Sequence, residues 1–206
     1  MSDNIKKSPW ISIWTNPGPT IRDIIDTNPK LAFRSLSFIY GLSFLLPYTI
    51  SLAVYLKSYL FLSFLLPLII APFFGALLIY FYSWILRFTG KWLGGKAPKE
   101  HVRAAFAWSC VPLLPQIFLT ILVFLLAFQA GNETASLVGA VMIIPVSILQ
   151  FALGIWSIVI LINNIAETQK FSGARAFGNW ALYLAIVVIV YFTAFLSFFL
   201  ISNLFH

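Results

Sequence analysis

Five long stretches of this 206-residue chain contain no Asp, Glu, Lys or Arg: 35–56, 58–86, 104–132, 134–166 and 176–206. Each is longer than the roughly 20 residues that cross about 30 Å of hydrocarbon as a helix. Short polar segments, mostly basic, separate them. The pattern predicts an all-α membrane protein, a bundle of five transmembrane helices near 33–55, 59–88, 104–128, 136–164 and 177–204. The link around Lys57 is short enough to make the first two helices antiparallel neighbours. Before the bundle, Ile21, Ile24 and Ile25 recur at helical spacing, with Arg22, Asp23 and Asp26 on the other side. Pro19 suits the start of a helix there, and the Asn28-Pro29 step its end. Trp10 and Trp14 are of the type that settles at a membrane interface. Residues 1–32 are therefore expected to form a cytoplasmic segment with a short amphipathic interfacial helix. The alternative is a packing arm against the bundle. Residues 33–206 form a single transmembrane domain.

Pro67 and Pro72 fall inside the second helix, Pro112 and Pro115 inside the third, and Pro145 inside the fourth. Each removes a backbone donor, and kinks are expected in helices 2 and 3. In lipid the freed carbonyls need partners, and Ser109, Gln116 and Thr120 are close in sequence. Gly75, Ala76, Ala104, Ala105, Ala107 and Gly154 are candidate close-packing points. After the fourth helix, Asn163, Asn164, Glu167 and Gln169 extend it past the membrane, and Ser172-Gly173 breaks it. Glu167 is a candidate partner for Arg103.

Composition strengthens the membrane reading. The chain is 61% hydrophobic and 9% charged, with mean hydropathy +0.94, against roughly a quarter charged in soluble domains. The first thirty residues have no early apolar run, so the first helix is expected to serve as an uncleaved anchor. Twelve of the 13 Lys and Arg residues fall on alternate connections, and Lys57 alone falls on the other side. This bias predicts a cytoplasmic N-terminus and an outside C-terminus. It also accounts for the sequence pI of about 9.7 without nucleic acid as a partner. The basic loops face anionic lipid head groups.

No catalytic, metal or cofactor residues emerge. The polar side chains at membrane depth are mainly Gln116 and Gln150. Cys110 lies in an apolar run and reads as a small buried hydrophobe. His101 reads as solvated or facing head groups, and His206 is terminal. Gly94-Gly95 precedes Lys96 without a Walker pattern. It reads as the turn ending helix 2, and Pro98 as the start of the next helix.

Three segments carry a resemblance. They are "WTNPGPTIRDIIDTNP" at 14–29, "GGKAPKEHVRAAFAWSCVPLLP" at 94–115, and the stretch from Ala166 through Glu167, Thr168, Gln169, Phe171 and Ser172. In order and spacing they resemble the Yip1 family of polytopic membrane proteins, in its prokaryotic branch. The resemblance implies five helices and a cytosolic N-terminus. Eukaryotic relatives are similar to trafficking factors that engage small GTPases. They have a longer N-terminal region with a D-L-Y-G-P-type motif. This chain lacks it and carries Phe106-Ala107-Trp108-Ser109 where a Y-G-Y-S-type segment would stand, so GTPase binding is not carried over.

The expected function is a non-enzymatic scaffold or organiser in a prokaryotic cell membrane, working through self-association or a membrane-protein partner. The alternative is a small transporter or lipid-handling protein with a cavity between proline-kinked helices 2 and 3. The candidate residues are Gly94, Gly95, Arg103, Trp108, Ser109, Pro112, Pro115, Gln116, Gln150 and Glu167.

Overall fold

The computed structural model describes residues 8–56, 60–129 and 135–204. Among them there are eight helices and no strand: α1 Pro9–Thr15, α2 Pro17–Thr27, α3 Phe33–Leu56, α4 Leu60–Trp92, α5 Lys99–Trp108, α6 Leu113–Gln129, α7 Ala135–Gln169 and α8 Gly173–Leu204. The expectations at Lys57, Glu133 and His206 lie outside the described residues.

Four helices are long and apolar enough to cross a membrane: α3, α4, α7 and α8. The expected third span is instead two helices, α5 and α6, bent by 41° across residues 109–112. Pro112 has no N–H, and the chain there falls into tighter turns: Ser109, Cys110 and Leu113 amides bond carbonyls three residues back, at 3.0–3.1 Å. The Leu113 amide goes to Cys110, which leaves the Ser109 carbonyl outside the α-helical ladder. The Ser157 hydroxyl of α7 donates to that carbonyl at 2.6 Å. A neighbouring hydroxyl thus satisfies the freed backbone, and Ser157 was not among the residues expected to do so. Pro47, Pro67, Pro72 and Pro145 sit inside unbroken helices.

α3 and α4 pack as an antiparallel pair with backbones almost touching. Ser37 and Gly41 on α3 face Ala71 and Gly75 on α4, a four-residue small-residue spacing on both helices. Gly75 is therefore a close-packing point. Gly154 is not one within this chain, because a Cβ there would meet nothing within 4 Å. A long helix crowds no neighbour merely by containing glycine.

α4 has 33 residues and α7 has 35, about 50 Å each at 1.5 Å per residue. Both exceed the hydrocarbon thickness, and their C-terminal ends gather with α5, α1 and α2 at one basic end of the bundle. Most of the core lies there. The share of each span's most apolar window buried in the protein falls from 39% for α3 to 28% for α4, 6% for α7 and 0% for α8. Most of α7 and α8 is thus left to the surrounding solvent, and their apolar sequence makes that solvent lipid.

The N-terminal segment corrects one expectation. It forms two helices, and Ile13, Ile21, Ile24 and Ile25 are buried in the protein core. α2 lies on α7 and α5. Its apolar face packs against the bundle, as in a packing arm. Protein surface offers shape-matched contacts that a fluid interface does not.

Candidate functional site

The basic end is built from the three segments singled out in the sequence. α4 is closed just past Trp92 by Gly94, whose φ of +87° is the left-handed conformation that favours glycine. The Gly95 amide reaches back to the Gly90 carbonyl at 2.8 Å and the Gly94 amide to Lys91 at 3.0 Å. This is the pair of bonds that closes a helix C-terminus. α7 ends the same way with Lys170 at φ +56° and Phe171 N bonded to the Ala166 carbonyl at 2.8 Å. The helix thus stops at Lys170, ahead of the expected Ser172-Gly173 break, and Gly173 begins α8.

These two helix ends interlock through Gln169. Its side-chain oxygen accepts from the Ala97 amide at 3.3 Å. A Cβ at Gly95 would lie 2.8 Å from the Gln169 carboxamide carbon. A Cβ at Gly90 would collide with the amide nitrogen of Gln169 and lie 3.1 Å from Asn179 Nδ2. Gly90 and Gly95 therefore make room for the amide. Beside them the Thr89 hydroxyl donates to Asn179 Oδ1 at 2.6 Å, fully buried, tying α4 to α8. Asn164 Nδ2 donates to the Ala105 carbonyl at 3.0 Å, tying α7 to α5. Buried amides with partners of this kind fix a unique arrangement. Thr89, Gly90 and Asn179 were not singled out from sequence, and Asn164 was named only as part of the polar extension of the fourth helix. Polar residues interrupting apolar helices near their ends were the available signal.

Trp108 is fully buried, its ring 5.2 Å from that of Trp10, so the arm covers the family-like segment at α5. Thr20 joins α2 to α1 through the Ser12 hydroxyl at 3.0 Å. The arm is clasped on its other side by Glu167. Arg22 donates to both its carboxylate oxygens, at 2.8 and 2.7 Å, and Lys170 donates at 2.6 Å. These hydrogen bonds, with the attraction of the carboxylate, raise the Arg22 pKa above its ordinary value. The expected Arg103–Glu167 pair is not formed. Arg103 lies with its guanidinium carbon 3.8 Å over the Tyr80 ring, because it leaves α5 toward α4. Arg22, brought in by the arm, takes its place at Glu167.

Gln116 and Gln150 are both at Thr120. Gln150 Nε2 donates to the Thr120 hydroxyl at 3.0 Å, which donates to the Gln116 carbonyl at 2.9 Å. The Gln116 side-chain oxygen is buried without a hydrogen-bond partner among the described residues. Ser109 bonds the Phe106 carbonyl at 2.6 Å. Pro112 lies in the bend and Pro115 in the first turn of α6. Three cavities of about 460, 420 and 360 Å³ lie elsewhere: in the arm, between α4 and α5, and beside Phe33 and Arg34. None is lined by Gln116, Gln150, Pro112 or Pro115.

Long apolar helices left bare along most of their length, joined at one polar end, define a polytopic integral membrane protein. The family model of the Yip1 domain matches residues 11–196. The chain belongs to the Yip1 family. No curated protein and no solved structure matches it.

Proposed function

We propose that the protein is a non-enzymatic membrane scaffold whose basic end is a rigid cytoplasmic platform for a second copy or another membrane protein. In this reading the bent pair α5 and α6 is one span. It brings the count to five, with the N-terminus inside and the C-terminus outside the cell membrane. Twelve basic residues then lie on the cytoplasmic side, as the retention of Lys and Arg requires.

The observation that carries this reading is the closed packing of the basic end. Ile13, Ile21, Leu86 and Trp108 have no exposed surface, and Ile165 has 1%. Buried amides latch the elements around them. A surface so fixed suits docking of partners at little ordering cost. Transport has less support, since the Gln150 amide is taken up by Thr120.

Two measurements test the proposal. In a Cys110→Ala background, single cysteines at Lys96 and Asn203 should label from opposite sides of the membrane. Labelling from one side refutes the five-span reading. A photocrosslinker at Lys96 or Arg175 should give discrete adducts with this chain or with one identified membrane protein. Lipid adducts alone from both positions refute the scaffold.

A further inference from the structure

We infer that the groove between α4 and α5 is a binding site for one anionic phospholipid, its phosphate held by Arg87, Lys99 and Arg103. The inference rests on the reading that the basic end lies at the membrane surface, and it adds a specific ligand to it. The groove has a volume of about 420 Å³. Its walls change character along α4. Leu77, Phe81 and Trp84 line one end, and Arg87, Lys99 and Arg103 the other. Leu77 and Arg87 are ten residues apart, about 15 Å along a helix. That is about half of a 30 Å hydrocarbon core, the depth of one leaflet. Leu77 and Trp84 are 64% and 63% exposed, so the apolar wall is open to an acyl chain.

The basic end is poised for an anion. None of the three cations is ion-paired with a carboxylate among the described residues, whereas Arg22 and Lys170 both pair with Glu167. No acidic residue lines the groove. Two of the cations are held in place from one side. Arg87 Nε donates to the Ala97 carbonyl at 3.2 Å, and Arg103 stacks on Tyr80. Arg103 Nε is buried without a hydrogen-bond partner among the described residues. A guanidinium carries further N–H donors in a fixed fork that matches phosphate geometry. Across Arg103, the 360 Å³ cavity contains Glu100, whose charge opposes an anion there. Charge and shape together therefore select the α4–α5 groove, and the joined apolar wall selects a lipid over a soluble phosphate.

The test uses the purified full chain, stripped of lipid and titrated with phosphatidylglycerol or phosphatidylcholine while bound lipid is read by native mass spectrometry. The expected result is a preference for phosphatidylglycerol. The Lys99→Gln, Arg103→Gln pair should weaken it about tenfold or more, on the scale of charged-lipid attraction to two basic residues. The Lys91→Gln, Arg175→Gln pair removes equal charge outside the groove and should leave the preference within about twofold on the same scale. Lys99→Gln alone, at an exposed first helical residue, should weaken binding without unfolding the protein. Equal losses in the two pairs, or no preference in the unaltered chain, overturn the site. Glycerol phosphate displacing the lipid at comparable concentration shows a soluble-phosphate site and also overturns it. Resistance of the chain to carbonate extraction is measured alongside. If extraction fails to release it while selectivity is absent, the site falls and the membrane reading stands.

Discussion

Replacing Gly75 by alanine is expected to wedge α3 and α4 apart. A Cβ at Gly75 would lie 2.6 Å from the Gly41 amide nitrogen, 2.9 Å from the Ser37 carbonyl carbon, and closer still to the Ser37 oxygen. Ordinary contact begins near 3.4 Å, so the first of these alone requires about 0.8 Å of separation. The obstacle is backbone on both sides, which has no rotamer to yield. Overpacking of this kind costs about 1–3 kcal/mol. Alanine in a helix recovers up to about 1 kcal/mol over glycine. The net expectation is a loss of up to about 2 kcal/mol, and of about 1–3 kcal/mol relative to a helical glycine with room for the methyl. Gly41→Ala meets the same interface from the other side, 2.8 Å from the Ala71 carbonyl carbon, and should cost a similar amount. The two should combine to less than their sum, since the first substitution already parts the helices. Gly154→Ala is the control. Its Cβ meets nothing within 4 Å, so propensity alone acts and stability should be unchanged or higher. Reversible unfolding in mixed micelles, followed by tryptophan fluorescence, reads all four proteins. A Gly75→Ala protein as stable as Gly154→Ala would refute the backbone-contact argument.

Gln169→Ala should cost about 1–3 kcal/mol by leaving the Ala97 amide buried and unpaired, measured by the same unfolding assay; an unchanged midpoint would show that the latch holds nothing. Arg103→Gln and Glu167→Gln should be additive within about 0.5 kcal/mol, because Arg103 sits on Tyr80 and Glu167 holds Arg22. Arg22→Gln and Glu167→Gln should instead show coupling in their double-mutant cycle, and a null cycle would place the clasp outside the folded state's energetics. With the membrane-labelling and lipid-titration outcomes given above, these tests address packing, polar latching, topology and ligand separately.

How much of this arrangement the sequence carried depends on the range of the interaction. Helices α3, α4, α7 and α8 were legible because lipid imposes a local rule: an apolar run long enough to span must satisfy its own backbone. The third run obeyed the length rule and still broke, because two prolines within four residues disrupt the ladder and Ser157, 48 residues later, stabilises the break. The Gly94 turn was legible too, since a left-handed residue at a helix end is a local demand. Glu167 shows the other limit. Its place at the polar C-terminal end of α7 was legible, but three nearby basic segments could supply a partner. Only the folding of the arm onto α7 selects Arg22. The arm's destination was undecided for the same reason, since an isoleucine stripe is equally apolar toward lipid or protein. Gly90 was hidden because its role is the space it leaves for Gln169, 79 positions away in a chain of ordinary membrane residues. The residues that sequence reasoning missed are thus those whose purpose lies in a partner on another helix. Apart from Ser157 at the bend, Thr89, Gly90 and Asn179 lie at the basic end, where the apolar rule stops and specific polar contacts take over. That is where partner recognition is expected, because the rest of the bundle presents lipid with little beyond apolar surface.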